Sequence, residues 1–341
     1  AEGTSSISGS IASTSASLYI GSALWSATIP VDEVRLSNEA RSAAWISAEY
    51  TNQATTTDFY TAEALGDAWN STDWTEYDTI TIRHESIDEP LTDFPVYVDL
   101  ADLSVNFWST VADGGGDIRV TTNDASPVEL PREVVSASTT VETGELHFKA
   151  DRLSDVVDTS YRIYYNGTDT DYTTAQTYGA ENVWNDYVVV WHMNELVQSD
   201  SAGNLPNRSI VGDFTEPTLN GAGNIVMDTN DYMYTTGYNQ PYTSWSSLIY
   251  WADNGTSGGE NQADNGGYGR MRVYDIDVAA ETVLITSGNV GDELFTGPLN
   301  TSAPQLSVVT YDATTGIIST YANGVLRDAM AGFYDPVVDW D

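Results

Sequence analysis

The sequence contains no cysteine and few basic residues. Without cysteine the chain can form no disulfide, no thiolate metal site and no cysteine nucleophile, so its stability must come from packing. Lysine and arginine together number 12, against 50 aspartate and glutamate residues, and Lys149 is the only lysine. Because phosphate binding needs clustered basic side chains, we expect neither nucleic acid nor an anionic membrane surface as a partner.

Long apolar runs are also missing. Residues 3–31 carry no charge, but serine is frequent among them and no stretch is apolar enough to cross a bilayer, so we predict no membrane insertion. The chain starts at Ala1-Glu2, without methionine or an apolar leader. This start predicts a secreted protein whose targeting segment has been removed, and therefore an extracellular or cell-surface location.

The excess of acid is extreme, with a net charge of −38. An acidic surface with few lysines stays hydrated in concentrated salt, where screening removes most of the self-repulsion. We therefore expect a protein from a salt-loving archaeon. An ordinary acidic surface protein is the alternative.

The patterning favours strands throughout. Helical periodicity is nearly absent, whereas Thr, Tyr, Val and Ile alternate with polar residues between Gly/Asn/Asp turn clusters. One short helix is expected from Asn38 to Tyr50, with Asn38 as its N-cap. The predicted fold class is all-β, with two β-sandwich domains.

The central part carries a series of motifs that are shared with one uncharacterised family. They are WTEYDTITI from Trp74, LTDFPVYVDL from Leu91, the pair Phe107-Trp108, GGDIRVT from Gly115, ELPREV from Glu129 and YRIYYNG from Tyr161. In these motifs the central part resembles the DUF2341 family. The resemblance covers about 100 residues and implies a β-sandwich.

The flanks resemble the two halves of a concanavalin A-like (laminin-G-like) jelly roll. Residues 184–195 and 200–204 resemble its opening, and residues 308–312 and 321–324 resemble its late hairpin. The ending of such a domain is matched by residues 18–21, 32–38 and 49–53, which stand at the start of the chain. The usual order is opening, middle and ending, whereas here the ending comes first.

These resemblances divide the chain into four predicted parts. Residues 1–53 form N-terminal strands that complete a jelly roll, residues 54–70 are a Thr-rich linker, residues 71–175 are the DUF2341-like sandwich and residues 181–341 are an incomplete jelly roll. A sheet that lacks its closing strands has open edges and an uncovered core. The N-terminal strands of the same chain or of a neighbour must fill that gap.

Insertion into a neighbouring molecule is head-to-tail and open, which generates a filament rather than a closed ring. The predicted function is therefore a non-enzymatic structural subunit of an extracellular filament or surface appendage, a homopolymer built by donor-strand complementation. A viral tail or surface fibre component and a carbohydrate-binding adhesin module are the alternatives. The predicted assembly residues are Ile7, Ile11, Leu18, Ile20, Val31, Val34 and Leu36.

Catalytic sites find little support. The segment from Asp275 to Glu281 has aspartate where the paired-carboxylate pattern of jelly-roll glycoside hydrolases requires glutamate. His84, His147 and His192 lie in strand contexts without a nucleophile motif, and they are too scattered in sequence to suggest a zinc site. We expect them to be hydrogen-bonded residues of the sheets, and we expect no cofactor with the exception of calcium.

Several residues are candidates for binding calcium or sugar. Two oxygen-rich turns could supply calcium ligands, with ordinary solvated turns as the alternative; the ligands would be Asp200, Asn204, Asp228 and Asp231. Stacking on a sugar, or packing in an aromatic core, is expected for Trp245, Tyr250 and Trp251. Glycan attachment is predicted at five sequons, at Asn70, Asn166, Asn207, Asn254 and Asn300.

Overall fold

A computed structural model shows a chain built mainly of antiparallel sheets with a few short helices, so the all-β prediction is confirmed. The structure describes residues 18–21, 29–64, 73–74, 76–168, 170–194, 197–204, 208–211, 225–227, 232–235, 244–251, 260–264, 272–275, 283–286, 294–295, 305–312 and 314–331.

The N-terminal and central strands are β1 Leu18–Gly21, β2 Ile29–Ser37, β3 Tyr60–Ala64, β4 Glu76–Ile82, β5 Phe94–Asp99, β6 Arg119–Thr122, β7 Glu129–Leu130, β8 Arg132–Ser138, β9 Thr143–Ala150 and β10 Thr159–Tyr165. The helices are α1 Ala43–Ala54, α2 Thr56–Phe59, α3 Val105–Thr110 and α4 Ala180–Val183, with 3₁₀ turns at His84–Ser86 and Leu100–Asp102.

The C-terminal strands are β11 Tyr187–Trp191, β12 Val197–Gln198, β13 Arg208–Val211, β14 Ile225–Met227, β15 Tyr232–Thr235, β16 Trp245–Trp251, β17 Glu260–Asp264, β18 Arg272–Asp275, β19 Val283–Thr286, β20 Leu294–Phe295, β21 Gln305–Asp312, β22 Ile317–Ala322 and β23 Val325–Ala331.

Two sheets share the core of the central part. One has the strand order β3-β4-β10-β6-β7 and the other β5-β9-β8. A single hydrophobic cluster contains Ile80 and Ile163 of the first sheet and Val96 and Phe148 of the second. Each of these residues is fully buried. Alternation along each strand directs every second side chain into this core.

The structure differs from the linker predicted over residues 54–70. Residues 56–64 form α2 and β3, and β3 pairs with β4 at the edge of the five-stranded sheet. Phe59 and Tyr60 are buried in the central core, and the Tyr60 hydroxyl donates a 2.8 Å hydrogen bond to Asp102. Two adjacent aromatic side chains are enough to fix this stretch, although its Thr-rich composition is typical of a loop. Residues 65–70 lie outside the described part of the chain.

Helix α1 is present, but the N-cap predicted at Asn38 is wrong. Ser42 is the N-cap, because its Oγ accepts a 3.1 Å hydrogen bond from the Trp45 amide. The backbone before it is held elsewhere, since the Arg41 amide donates a 2.7 Å hydrogen bond to Ser246 Oγ on β16. A serine side chain is as good a cap as asparagine, so tertiary contacts decide where the helix begins.

Helix α1 packs on two cores at once. Its Trp45 and Ala48 belong to the central hydrophobic cluster, and the Trp45 ring lies 4.8 Å from that of Phe94. Its Ile46 belongs to a second cluster with Leu248, Leu306, Val308 and Tyr321 of the C-terminal sheet. The helix therefore connects the central part with the C-terminal strands.

The N-terminal strands lie inside the C-terminal sheets. A seven-stranded sheet includes the order β11-β2-β16-β21-β22-β23, with β14 also paired to β2, and an eight-stranded sheet has the order β12-β13-β15-β1-β17-β18-β19-β20. The register of β2 places Val34 opposite Ile249 on β16 and Trp191 on β11. β2 thus lies between β11 and β16 in the seven-stranded sheet.

Asp78 is a buried carboxylate that holds Ser104, the N-cap residue of α3. It accepts hydrogen bonds from the Ser104 amide (2.7 Å), the Ser104 hydroxyl (2.9 Å) and the Tyr165 hydroxyl (2.9 Å). We expect Asp78→Asn to lower the free energy of unfolding by about 2 kcal/mol, because the charge-assisted bonds are lost. Urea denaturation measures this effect, and the exposed Asp88→Asn is the matched control. An equal stability for the two variants would contradict the prediction.

Candidate functional site

A group of charged side chains is buried where the N-terminal, central and C-terminal parts meet. We call this group the junction cluster. Its members are Glu33, Arg35, Glu133, Glu145, His147 and His192. No side chain in it is more than 13% exposed. Buried charges on this scale destabilise a protein unless each one is paired, so their partners define what the cluster does.

Strand alternation brings these residues together. On β9, Glu145 and His147 share one face, while Leu146 and Phe148 point into the central core. Glu133 lies on β8 directly opposite His147.

The same rule applies in the C-terminal sheet. On β2, Glu33 and Arg35 share one face and alternate with Val34 and Leu36, which are also buried. His192 follows the last residue of β11, the strand that pairs with β2. The polar face of β2 therefore meets the polar face of β8 and β9.

His192 bridges two carboxylates. Its Nδ1 lies 2.9 Å from Glu33 Oε2, and its Nε2 lies 3.0 Å from Glu133 Oε2. Burial alone would lower the pKa of His192, but Glu33 and Glu133 raise it well above its ordinary value. Burial alone would raise the pKa of each glutamate, yet His192 is the main cause that lowers the pKa of both to about 2. His192 is therefore an imidazolium held between two ionised glutamates.

His147 and Glu145 form the second pair. The Nε2 of His147 lies 2.7 Å from Glu145 Oε1, and the His147 ring stacks on that of His192 with centroids 5.1 Å apart. Burial, together with Arg35 and His192, lowers the pKa of His147 well below its ordinary value, so this ring is neutral. Burial raises the pKa of Glu145 to about 7. The Nδ1 of His147 is buried without a hydrogen-bond partner.

Arg35 ties β2 to α1. Its Nε donates a 2.8 Å hydrogen bond to Glu33, and its Nη1 donates to Glu49 of α1. The guanidinium also lies over the Trp184 ring, 4.5 Å from its centroid. Burial alone would lower the pKa of Arg35, but Glu49 and Glu33 raise it, so the side chain stays charged. Arg35 is thus paired with two buried carboxylates, Glu33 and Glu49.

The burial of the junction cluster limits its chemistry. A substrate needs an open position beside a catalytic group, and the histidines here are at most 6% exposed. The arrangement fits two roles, a joint that fixes the three parts of the chain to one another and a closed site for a metal ion.

The structure corrects the interpretation of the histidines as scattered. His147 and His192 stack within one cluster, although 45 positions separate them in sequence. Only His84 is isolated from them, in an exposed pair with Asp158 whose Nδ1–Oδ1 distance is 2.6 Å. One sequence signal pointed to the site: Glu145 and His147 sit two apart in a strand, which puts an acid and an imidazole on the same face.

The predicted assembly residues lie where the N-terminal strands enter the sheets, as far as they are described. Val34 and Leu36 are buried on β2, at 3% and 9% exposure. Val31 belongs to β2, and Leu18 and Ile20 belong to β1, which pairs with β15 and β17; the side chains of these three residues lie outside the described structure. Ile7 and Ile11 also lie outside it.

The carboxylate of the calcium candidate Asp200 is engaged by the backbone. Its Oδ1 accepts hydrogen bonds of 3.0 Å from the amides of Val190 and Ala202, and its Oδ2 accepts one of 2.9 Å from the Asn204 amide. The side-chain amide of Asn204 donates to two β11 carbonyls. Both carboxylate oxygens of Asp200 are therefore used in hydrogen bonds that hold the turn together. The other calcium candidates, Asp228 and Asp231, lie outside the described residues.

The remaining binding candidates are only partly described. Trp245, Tyr250 and Trp251 belong to β16, with side chains outside the described structure. Asp275 ends β18, and Glu281 lies outside the described residues.

Asn166 is the one predicted glycan acceptor that the described residues include. It is exposed in the turn after β10, where its φ is 60°. Asn70, Asn207, Asn254 and Asn300 lie outside the described part of the chain.

We expect Asn166→Gln to remove the mass of one glycan from protein made in its native host, as measured by intact-mass spectrometry. The control is the exposed Asn123→Gln, which is not in a sequon. A wild-type mass of 37.0 kDa would contradict the prediction.

Comparison with known proteins adds no relative. The chain matches no family model, no curated protein and no solved structure. None of the helices in the described residues has the length and apolar character needed to cross a membrane.

Proposed function

We propose that the protein is a non-enzymatic structural subunit of an extracellular filament or surface appendage. In this proposal, β1 and β2 of one copy leave their own sheets and occupy the same positions in the next copy. Such an exchange is head-to-tail, and its repetition gives an open polymer.

The position of β2 carries this proposal. β2 pairs with β11 on one side and with β16 on the other, and both partners lie far away in sequence. A strand that holds two distant strands together can be supplied by any copy of the same sequence, since the contacts are identical. Both of its faces are used, because Val34 and Leu36 are buried on one face and Arg35 is buried on the other.

The energetics favour a contact that dissociates rarely. Strand pairing on both edges of β2 supplies main-chain hydrogen bonds, and the alternating apolar side chains fix its register. Two inserted strands would bury an area of the obligate class, above ~2,000 Å². The Arg35–Glu49 and His192–Glu33 pairs would then join two molecules.

The segment between β2 and α1 is the proposed hinge. Asn38 and Glu39 in this segment are exposed. The segment borders an open groove whose other side includes Thr310 and Ser319 of the C-terminal sheet. Arg41, by contrast, lies over the Trp45 ring at 4.1 Å, so the path would change at Asn38 and Glu39.

Peptide capping tests the proposal on the full chain. We expect electron microscopy to show fibres in concentrated salt, and a synthetic peptide of residues 1–38 to shorten them by filling the open acceptor end. The matched control is the same peptide with Val34→Asp and Leu36→Asp, which cannot bury the apolar face of β2. The absence of fibres over a wide range of protein and salt concentrations would overturn the proposal.

A further inference from the structure

We propose that the junction cluster binds a divalent transition-metal ion, best matched by Zn²⁺, through Glu145, His147 and His192. The inference does not depend on filament assembly, because all three residues stay in one chain whichever copy supplies β2.

The donor atoms already lie close together. One ligand atom from each of the three residues lies within 4.8 Å of the others. His147 Nε2 is 2.7 Å from Glu145 Oε1, and His192 Nδ1 is 3.6 Å from the same oxygen. Ligands of a tetrahedral zinc ion lie about 3.3 Å apart, given metal–ligand distances near 2.05 Å. Small side-chain shifts would bring the atoms to these distances.

Glu33 is placed to complete the coordination. Glu33 Oε2 lies 2.9 Å from His192 Nδ1, which is the nitrogen that would bind the ion. The other carboxylate oxygen, Glu33 Oε1, accepts a hydrogen bond from Arg35. Two histidines and two carboxylates form a set of nitrogen and oxygen ligands that suits Zn²⁺, since imidazole and carboxylate both bind this ion. Two glutamates also balance the charge of a divalent cation.

The surroundings of His192 match those of a metal-bound histidine. Glu133 lies 3.0 Å from His192 Nε2 and accepts further hydrogen bonds from Trp184 and Ser201. A histidine ligand usually donates its second ring N–H to a carboxylate, which orients the ring toward the ion. Glu133 would therefore be a positioning residue that turns Nδ1 toward Glu33, Glu145 and His147.

His147 is a buried imidazole with few partners. His147 is 1% exposed, yet its Nδ1 has no partner and its Nε2 meets Glu145 alone. Coordination through Nε2 would give this buried ring a strong partner, while Nδ1, on the other side of the ring, would stay without one. Because the cluster is closed to solvent, the ion would be structural and would join the central sheet to the C-terminal sheet.

Cobalt titration of the full chain tests the site. Protein stripped with a chelator is titrated with Co²⁺ in the presence of excess Mg²⁺ and concentrated NaCl, which occupy the acidic surface. We expect a single equivalent of Co²⁺ to give the intense visible absorption of a tetrahedral site, and Zn²⁺ to abolish it. A pale octahedral spectrum, or several equivalents bound with similar weak affinity, would overturn the proposal.

Variants locate the ion. We expect His147→Gln and His192→Gln each to weaken Co²⁺ binding by more than ~100-fold, and Glu133→Gln to weaken it ~10-fold, as outer-shell changes do. The control His84→Gln removes an exposed histidine outside the cluster and should bind as the wild type does. Unchanged binding in both ligand variants would overturn the assignment. If a ligand variant fails to fold, the wild-type cobalt spectrum together with the His84→Gln control still decides the outcome.

Discussion

Deleting residues 1–38 is expected to leave a chain whose C-terminal sheets do not fold. The deletion removes β2 from between β11 and β16, so both strands gain an open edge and the seven-stranded sheet divides. It also removes Glu33, a carboxylate partner of His192, and Arg35, the buried cation beside Glu49. We expect aggregation or rapid proteolysis of residues 181–331, and the loss of fibres.

Adding the missing residues back as a peptide tests whether β2 can be supplied by a separate molecule. A synthetic peptide of residues 1–38, added during refolding, should restore a soluble one-to-one complex, because every contact of β2 is available to a free strand. A peptide that carries Arg35→Met is the control, and it should restore the complex poorly. A deletion variant that unfolds cooperatively with the same midpoint as the full chain would show that β2 is dispensable.

Replacing Arg35 by methionine is expected to be among the most destabilising single changes in the chain. Methionine keeps much of the volume of arginine but leaves Glu49 buried without its ion-pair partner and leaves Glu33 with His192 alone. Loss of one partner from a buried ion pair costs about 3–5 kcal/mol. Urea unfolding, followed by tryptophan fluorescence, measures the change.

Two further variants separate charge from packing. Arg152→Met breaks a pair with Asp124 in which both side chains are about half exposed, so its effect should stay below about 1 kcal/mol. The double variant Arg35→Met with Glu49→Gln should recover part of the lost stability, because one uncompensated charge is removed. A cost for Arg35→Met as small as that for Arg152→Met would contradict the role assigned to the buried pairs.

The strands were predictable from sequence because their signal is local. The apolar alternation at Ile80 and Ile82 predicts a half-buried strand, and the structure places both in the central core. The positions at which helices and strands begin and end were harder to predict. The start of α1 depends on the bond from the Arg41 amide to Ser246, which lies 205 positions away, and no local pattern contains that contact.

Apart from the spacing of Glu145 and His147, the junction cluster could not be predicted from the sequence, for a similar reason. His147 and His192 meet only because β2 brings its polar face against β8 and β9, and this packing joins three parts of the chain. A charged pair such as Glu33 and Arg35 in a short strand is typical of a solvent-exposed face. In this chain both side chains are buried, since each one has a partner from another element.

A disulfide trap on β2 measures most directly which molecule supplies this strand. Leu36 lies opposite Ser247 of β16 in register, and the natural sequence has no cysteine that could interfere. One copy carries Leu36→Cys, a second copy carries Ser247→Cys, and the two are co-assembled and oxidised. The pair Ser247→Cys with Val309→Cys in one chain, which lies opposite in register on β16 and β21, is the positive control. Strand exchange predicts a covalent dimer from the mixture and a ladder of multimers from the double variant Leu36→Cys/Ser247→Cys. A double variant that closes only within single chains, with no cross-linked product from the mixture, would contradict exchange and establish that β2 seals its own sheet.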